Sequence, residues 1–233
     1  MQYHNFSGGE IMISVIIRSK NEEEWIRQCL YAVSKQDFVD FEIILVDNES
    51  TDKTLEIAKE FNCKIIKISN KEFSYGRALN QGIQASKGEY LAFLSAHCIP
   101  KNTNWLFRLL TNFEDPKVAG VYGRQEPMAH SDPRDKRDLW NTFGLERKEQ
   151  TTDPFFHNAN AKIRRSVWKK IPFDEKISGV EDRLWAKKVL EQGYKIIYEP
   201  SASVYHPHGI NQAGDVKRCD RVVRVIEDHK LHK

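Results

Sequence analysis

The sequence lacks the features that mark several large classes of protein. Its formal net charge is only +3, from 36 basic and 33 acidic residues, which is too small to indicate a nucleic-acid partner. No apolar run approaches the ~20 residues of a membrane-spanning helix, and the first residues carry no apolar core of a secretory signal. The four cysteines are spread without the paired spacing of zinc sites. We therefore expect free thiols and a cytoplasmic location.

Short apolar runs and amphipathic segments alternate through the first half of the chain. Continuous, β-branched runs predict strands at residues 13–17, 41–46, 64–68 and 90–94. Helical periodicity predicts helices between them at 22–35, from an N-cap at Ser50, and at 75–86. This order is typical of an α/β protein with a mostly parallel, doubly wound sheet and helices on both faces.

The second half is less regular and appears as an elaboration of the same domain. Helices are predicted at 104–113 and 181–192, and strands at 118–122 and 195–198. The charged stretch 126–150 is interpreted as a mobile flap that orders when the donor binds, or as a loop-and-helix excursion. A helix at 216–226 is expected to dock on the body, and an anionic membrane surface is the alternative. The segment before Met12 is interpreted as a loose extension.

Polar side chains follow each early strand, at the sheet edge where ligands bind in such folds. The loop after the first strand, Arg18 to Glu22, contains no glycine, which argues against a dinucleotide-binding turn, and a P-loop is absent. Asp47 ends the second strand, where its carboxylate can accept two hydrogen bonds from a ribose or a base edge. The alternative is that Asp47 and Ser50 only cap the next helix.

Four segments in this order resemble the family 2 glycosyltransferases, whose fold is GT-A. They are the strand Ser14-Val15-Ile16-Ile17 with the loop Arg18 to Glu22; Asp47-x-x-Ser50-x-Asp52-x-Thr54; Gly76-Arg77-Ala78-x-Asn80-x-Gly82; and Gly88 to Leu94. The resemblance covers residues 13–208. It implies a Rossmann-like sheet, with a nucleotide-sugar-binding half at 12–123, an acceptor and catalytic half at 124–210, and a helical tail at 211–233.

The resemblance also implies the residues that bind the donor. Asp47 matches the aspartate that holds the nucleotide base, and Arg77 and Asn80 match a helix that faces the diphosphate and sugar. For Arg77 the alternative is a solvated helix residue. The remaining donor-binding residues implied by the motifs are Arg18, Asn21, Glu22, Ser50, Ser95 and His97.

The chain departs from the family pattern at the fourth strand. Many members carry Asp-x-Asp there and bind a divalent cation, whereas this chain has Ser95-Ala96-His97-Cys98. His97 stands where a metal-binding aspartate is expected, and His206 or, as second choice, His208 matches a further metal-binding histidine. Imidazole favours Mn²⁺ over Mg²⁺. The alternative is weak metal dependence, with cationic side chains replacing the ion. Cys98 is expected to be a small buried residue.

The segment Glu181-Asp182 resembles the family's catalytic Glu-Asp pair. It implies that Asp182 is the general base, with Glu181 raising its pKa by like-charge repulsion. Two acids at a helix start are also common for structural reasons, because they favour the helix dipole. Asn158, Asn160 and Trp185 are implied to line the sugar and acceptor pocket. Phe155 and Phe156 are more typical of core.

Together these features imply an enzyme that transfers a hexosyl or deoxyhexosyl group from a nucleoside-diphosphate-sugar, with inversion. The acceptor would be a saccharide or a lipid-linked glycan in surface-polysaccharide or glycolipid biosynthesis, with peripheral membrane association as a further expectation. Two alternatives stay open: a catalytically degenerate nucleotide-sugar-binding module, which the missing carboxylates favour, and a nucleotidyltransferase, whose glycine-rich loop is lacking.

Overall fold

The computed structural model describes residues 12–38, 40–177, 179–210 and 216–231, with only the backbone of 216–218. The predicted extension before Met12, residues 211–215 of the tail and its last two residues lie outside the described residues. Within the described residues, nine strands form one sheet. They are β1 Ile13–Ser19, β2 Phe41–Asp47, β3 Lys64–Lys67, β4 Tyr90–Ser95, β5 Ile99–Pro100, β6 Val118–Pro127, β7 Lys148–Gln150, β8 Asn160–Arg164 and β9 Lys195–His206.

Eight α-helices accompany the sheet in the described part of the chain. They are α1 Ile26–Ser34, α2 Thr54–Ala58, α3 Tyr75–Gln84, α4 Trp105–Leu110, α5 Pro133–Thr142, α6 Arg165–Lys170, α7 Glu181–Glu191 and α8 Val216–Asp228, and a 3₁₀ turn, Thr111–Glu114, continues α4. None of the described helices is long and apolar enough to span a bilayer.

The first half forms the parallel sheet that its alternating pattern predicts. β1 pairs in parallel with β2 and with β4, and β3 adds to β2. Val15 and Ile17 face a core shared with α1, whereas Ile16, between them, faces a second core shared with α3. Because successive side chains of a strand point to opposite faces, a continuous apolar strand needs helices on both sides. The structure therefore confirms the predicted α/β architecture.

The second half extends the same sheet with strands of both directions. β8 lies antiparallel between β4 and β6, and β9 runs parallel to β6. β5 and β7 pair antiparallel with β9. The sheet order is β3-β2-β1-β4-β8-β6-β9-β5, so the two halves share one continuous sheet.

Three sequence predictions need correction. The segment 126–150 is not a free flap, because β7 joins the sheet and Leu139 and Phe143 are buried in the core. The last strand does not end at Tyr198 but continues to His206. Ser50 is not a helix N-cap, since α2 begins only at Thr54, whose amide donates to the Asp52 carboxylate.

The C-terminal helix docks on the body, as predicted. Val222, Val225 and Ile226 of α8 pack against Val180 and Leu184 at the start of α7. Val223, on the opposite side of α8, is 50% exposed. The helix therefore covers the part of α7 that carries the predicted catalytic acids.

Candidate functional site

The ends of β1 and β2 are joined through a buried carboxylate. Asp47 is fully buried, and it accepts hydrogen bonds from the Ser19 hydroxyl at 3.1 Å and from the Ser50 hydroxyl at 2.5 Å. The Ser50 amide donates to the second carboxylate oxygen at 3.0 Å. Asn21 completes the link. Its backbone amide donates to the Ser50 hydroxyl, and its side-chain oxygen accepts from the backbone amide of Thr51. These contacts fix the shape of the two loops.

Three histidines meet at the same edge of the sheet. The rings of His97 and His206 are stacked, with centroids 5.1 Å apart and planes 4° from parallel. The His208 ring lies 4.7 Å from His97 and 4.4 Å from His206. Pairing of Ile99 in β5 with Tyr205 in β9 brings these distant segments together. The sequence ranked His208 below His206, but the structure brings both rings to His97.

This histidine cluster, His97, His206 and His208, has the chemistry of a metal site. One nitrogen of each ring can be chosen so that all three lie within 4.8 Å of one another. Neutral imidazoles are ligands for divalent transition ions. Cys98 is fully buried, and burial holds the pKa of its thiol well above the usual value, which disfavours the thiolate that would bind a metal. Cys98 is therefore a small core residue, as predicted.

The predicted catalytic acids lie at the start of α7, held from the tip of β1. Nη1 of Arg18 is 3.6 Å from Oε1 of Glu181, and the Arg18 guanidinium lies over the Tyr75 ring at 4.8 Å. Oδ1 of Asp182 accepts from the backbone amide of Arg183 at 2.8 Å, and Oδ2 accepts from the backbone amide of Asn158 at 3.3 Å. The Arg18 contact thus joins the acidic pair to the end of β1, whose last residue, Ser19, donates to Asp47.

The surroundings of this acidic pair favour protonation. Burial first, and then the charge of Asp182, raise the pKa of Glu181 to about 7, although Arg18 opposes the shift. Burial also raises the pKa of Asp182, against the opposing effects of Arg183 and the backbone hydrogen bonds. A carboxylate with a raised pKa is a stronger base than an exposed one, so the pair suits proton transfer near neutral pH.

A small cavity of about 60 Å³ opens beside Asp182. Its lining includes the polar residues His157 and Arg183. The apolar lining includes Ile210 and two residues of α8, Cys219 and Val222. Asp182 therefore faces a space that a group of a few atoms could enter.

The structure places two predicted acceptor residues in the interior, which corrects their assignment. Asn160 is fully buried, where it accepts from Trp105 Nε1 at 2.8 Å and donates to the carbonyls of Arg124 and Ala202. Trp185 is 1% exposed and donates to the Ile171 carbonyl. Both side chains hold the second half together. Phe156 is fully buried, as expected of a core residue.

Asn158 stands differently from Asn160. Its side chain is 1% exposed, and within the described residues neither its amide nitrogen nor its amide oxygen has a hydrogen-bond partner. A buried amide with this much unused capacity is unusual, because such groups are nearly always hydrogen-bonded. Asn158 lies next to Asp182, because its backbone amide donates to the Asp182 carboxylate.

The predicted diphosphate-binding residues of α3 form a structural clamp. Asn80 is 4% exposed and accepts from Trp168 Nε1, while its nitrogen donates to the Phe173 carbonyl and to Glu175. Arg77 Nε donates to the same Glu175 carboxylate at 3.0 Å. Asn80 therefore has a structural role in place of the predicted one, whereas a donor contact of Arg77 stays a prediction. Ser95 ends β4 beside Arg18 of β1.

Sequence reasoning missed the partners of several site residues. It placed Glu22 among nucleotide-binding residues, but the Glu22 carboxylate contacts His97, with Oε1 2.7 Å from Nδ1. It also missed Tyr75, whose ring packs against the Arg18 guanidinium. No local pattern indicates these contacts, because they join segments far apart in the chain.

Comparisons with known proteins agree with this arrangement. A family model described as glycosyl transferase family 2 matches residues 14–171. The O-antigen chain rhamnosyltransferase WbaN of Salmonella anatum is 31% identical over 206 residues, which are 84% of this chain and 64% of that protein. RfbN of Salmonella typhimurium, also described as an O-antigen chain rhamnosyltransferase, is 27% identical over 88% of this chain and 69% of its own length. The chain thus spans about two thirds of these relatives.

A solved structure extends the comparison to the fold. The mannosyltransferase PcManGT of Pyrobaculum calidifontis, in complex with GDP-Man and Mn²⁺, superposes with a TM-score of 0.67 at 20% identity. The superposition covers 94% of this chain and 62% of that one. With a family model matched over most of its length and the expected motifs at its strand ends, the chain belongs to glycosyl transferase family 2 and has the GT-A fold.

Proposed function

We propose that the chain transfers a sugar from a nucleoside-diphosphate donor to a hydroxyl of a saccharide or lipid-linked acceptor, with inversion and with Asp182 as general base. The observation that carries the proposal is the acidic pair, whose raised pKa values are paired with an opening beside Asp182. The relatives support a rhamnosyl donor and an acceptor in O-antigen-like surface polysaccharide.

In the proposed reaction the acceptor oxygen forms a bond to the anomeric carbon of the donor sugar. The bond from that carbon to the diphosphate oxygen breaks, and the nucleoside diphosphate leaves with the electron pair. The acceptor proton passes to the Asp182 carboxylate. Arg18 keeps Glu181 in place behind the base, and the unused amide of Asn158 is suited to bind a hydroxyl close to Asp182. Asp47, with Asn21 and Ser50 around it, is proposed to hold the nucleotide base.

His97, His206 and His208 would hold a divalent cation, which would supply positive charge to the departing diphosphate. Three imidazoles without a carboxylate favour Mn²⁺ over Mg²⁺, because Mg²⁺ prefers oxygen ligands. The Mn²⁺ in the PcManGT complex supports this choice.

The cytoplasmic location drawn from the cysteines stays a prediction.

The test separates donor binding from turnover. Thermal stabilisation by nucleoside-diphosphate-rhamnose, GDP-mannose and UDP-GlcNAc, with and without Mn²⁺, identifies a donor. Release of nucleoside diphosphate from that donor then measures turnover, with water as the acceptor where no other is known. Asp182→Asn is expected to lower the rate roughly 10²–10⁴-fold and to keep the thermal shift.

Glu191→Gln is the matched control, because it removes a carboxylate from the exposed end of the same helix. Full turnover in Asp182→Asn would refute the role of the base. Donor binding by the wild type with no release, in the presence of Mn²⁺ and a panel of saccharide acceptors, would favour the alternative of a nucleotide-sugar-binding module.

A further inference from the structure

We infer that Glu22 is a positioning residue for the histidine cluster, and that it holds His97 in the tautomer and orientation that can bind a metal ion. This inference rests on the metal site of the proposed function. It assigns to Glu22 a role other than the nucleotide contact that the sequence motif implied. The residue would act through His97 and would not touch the donor.

The contact is short, partly buried and specific. Oε1 of Glu22 lies 2.7 Å from Nδ1 of His97, and the two side chains are only 16% and 18% exposed. An ionised carboxylate can only accept hydrogen bonds, so in the proposed pair Nδ1 carries a proton and donates to Glu22. Nε2 of the neutral ring then keeps its lone pair and can act as a metal ligand.

The other two histidines of the cluster lie beside the His97 ring. With Nδ1 held by Glu22, the His97 ring lies parallel to His206 and close to His208. A metal-bound histidine usually donates its second ring nitrogen to a carboxylate or carbonyl, which fixes the tautomer and makes the imidazole a stronger ligand. Glu22 and His97 reproduce that carboxylate–histidine pairing.

Glu22 is itself fixed by its backbone, which leaves its side chain available. Its amide nitrogen donates to the Thr54 hydroxyl at 2.7 Å, and its carbonyl accepts from the amides of Trp25 and Ile26. These bonds hold the loop between β1 and α1 whatever side chain stands at this position. A substitution of the side chain should therefore leave the local fold intact and affect His97 selectively.

Direct titration with Co²⁺ tests the role of Glu22. Co²⁺ bound to imidazoles absorbs visible light, so the measurement does not depend on turnover. We expect Glu22→Ala to raise the apparent dissociation constant for Co²⁺ roughly 10–100-fold, the usual effect of losing such a partner. Glu22→Gln, which can still accept the hydrogen bond but without charge, should lose less. Glu24→Gln is the control, because Glu24 is an exposed residue of the same loop.

The histidine tautomer gives a second readout that needs no metal. Imidazole ¹⁵N shifts of the metal-free wild type, with His97 assigned by comparison with His97→Ala, should show the proton on Nδ1. In Glu22→Ala the proton should move towards Nε2. The melting temperatures of the variants, measured alongside, should stay close to that of the wild type.

The outcomes separate the two proposals. Wild-type Co²⁺ affinity in Glu22→Ala, or an Nε2-protonated His97 in the wild type, overturns the role of Glu22 while the metal site stands. Unchanged Co²⁺ binding in His97→Ala overturns the metal site of the proposed function itself. Loss of affinity in both variants with retained affinity in Glu24→Gln supports both.

Discussion

Arg18 and Glu181 form an ion pair that joins the tip of β1 to the first turn of α7. Nη1 and Oε1 are 3.6 Å apart, and the two side chains are 15% and 4% exposed. The ring of Tyr75, at the start of α3, lies 4.8 Å from the same guanidinium. One arginine thereby sets the position of the acidic pair relative to the strand ends.

The pKa of Glu181 makes stability depend on pH. The pKa is raised to about 7, so the folded carboxyl keeps its proton at a pH where the unfolded one has lost it. The associated stability is fully present below the unfolded pKa and is lost as pH rises through the folded value. From pH 4.5 to 7.5 we expect the free energy of unfolding of Glu181→Gln, relative to wild type, to rise by roughly 2–3 kcal/mol.

Urea unfolding at a series of pH values measures this difference, and Glu191→Gln is the control for a carboxylate lost from α7. A difference between Glu181→Gln and wild type that does not change with pH would contradict the burial argument.

Asn80 is expected to stabilise the fold rather than to bind the donor. Its amide joins α3 to Trp168 and to the Phe173–Glu175 segment, and Gly76 of the same motif lies against that segment. Removing the amide leaves buried donors and acceptors unpaired, so Asn80→Ala should lower the free energy of unfolding by roughly 2–4 kcal/mol.

Gln84→Ala, at the exposed end of α3, is the matched control and should have little effect. Chemical unfolding tests whether Asn80 stabilises the fold, and a donor-binding measurement tests whether it contacts the donor. An Asn80→Ala protein of wild-type stability that no longer binds a nucleotide-sugar would restore the original assignment.

Lys162 in β8 is fully buried, and burial holds the pKa of its amine well below the usual value. Its Nζ donates to the Leu106 carbonyl at 2.7 Å. Because the folded pKa is lowered, the wild type is expected to lose stability as pH falls below the unfolded pKa of a lysine. Lys162→Met should therefore be more stable than wild type at pH 7, and the gain should shrink towards pH 10.

Thermal unfolding at both pH values measures this effect, with Lys169→Met, an exposed residue of α6, as the control. A Lys162→Met protein that is less stable than wild type at pH 7 would show that the hydrogen bond to Leu106 outweighs the burial of the amine.

The two sides of α8 should respond differently to charge. Val225 packs against the start of α7, whereas Val223 is 50% exposed. Val225→Asp places a carboxylate against apolar side chains, at a cost of about 1–3 kcal/mol, so α8 should detach. Hydrogen exchange of the α8 amides should become fast in Val225→Asp and stay near wild type in Val223→Asp; equal protection in both would contradict the docking described.

Much of the fold could be predicted because it depends on local patterns. The apolar runs of the first half specify strands covered on both faces, and the intervening periodic segments specify the helices. Motif order then placed Asp47, His97 and Asp182 at strand or helix ends. Strand limits were less predictable: β9 continues to His206 because it pairs with β6, which no local pattern indicates.

The sequence by itself therefore determined the order of elements, the parallel first half and the polar residues at its edge. Only the tertiary structure decided their partners: Glu22 with His97, 75 residues apart, and Asn80 with Glu175, 95 residues apart. It also buried Asn160 and Trp185, which the family resemblance had implied for a pocket. The reason is physical: propensity and periodicity act over a few residues, whereas a side chain's environment is set by the packing of elements distant in the chain.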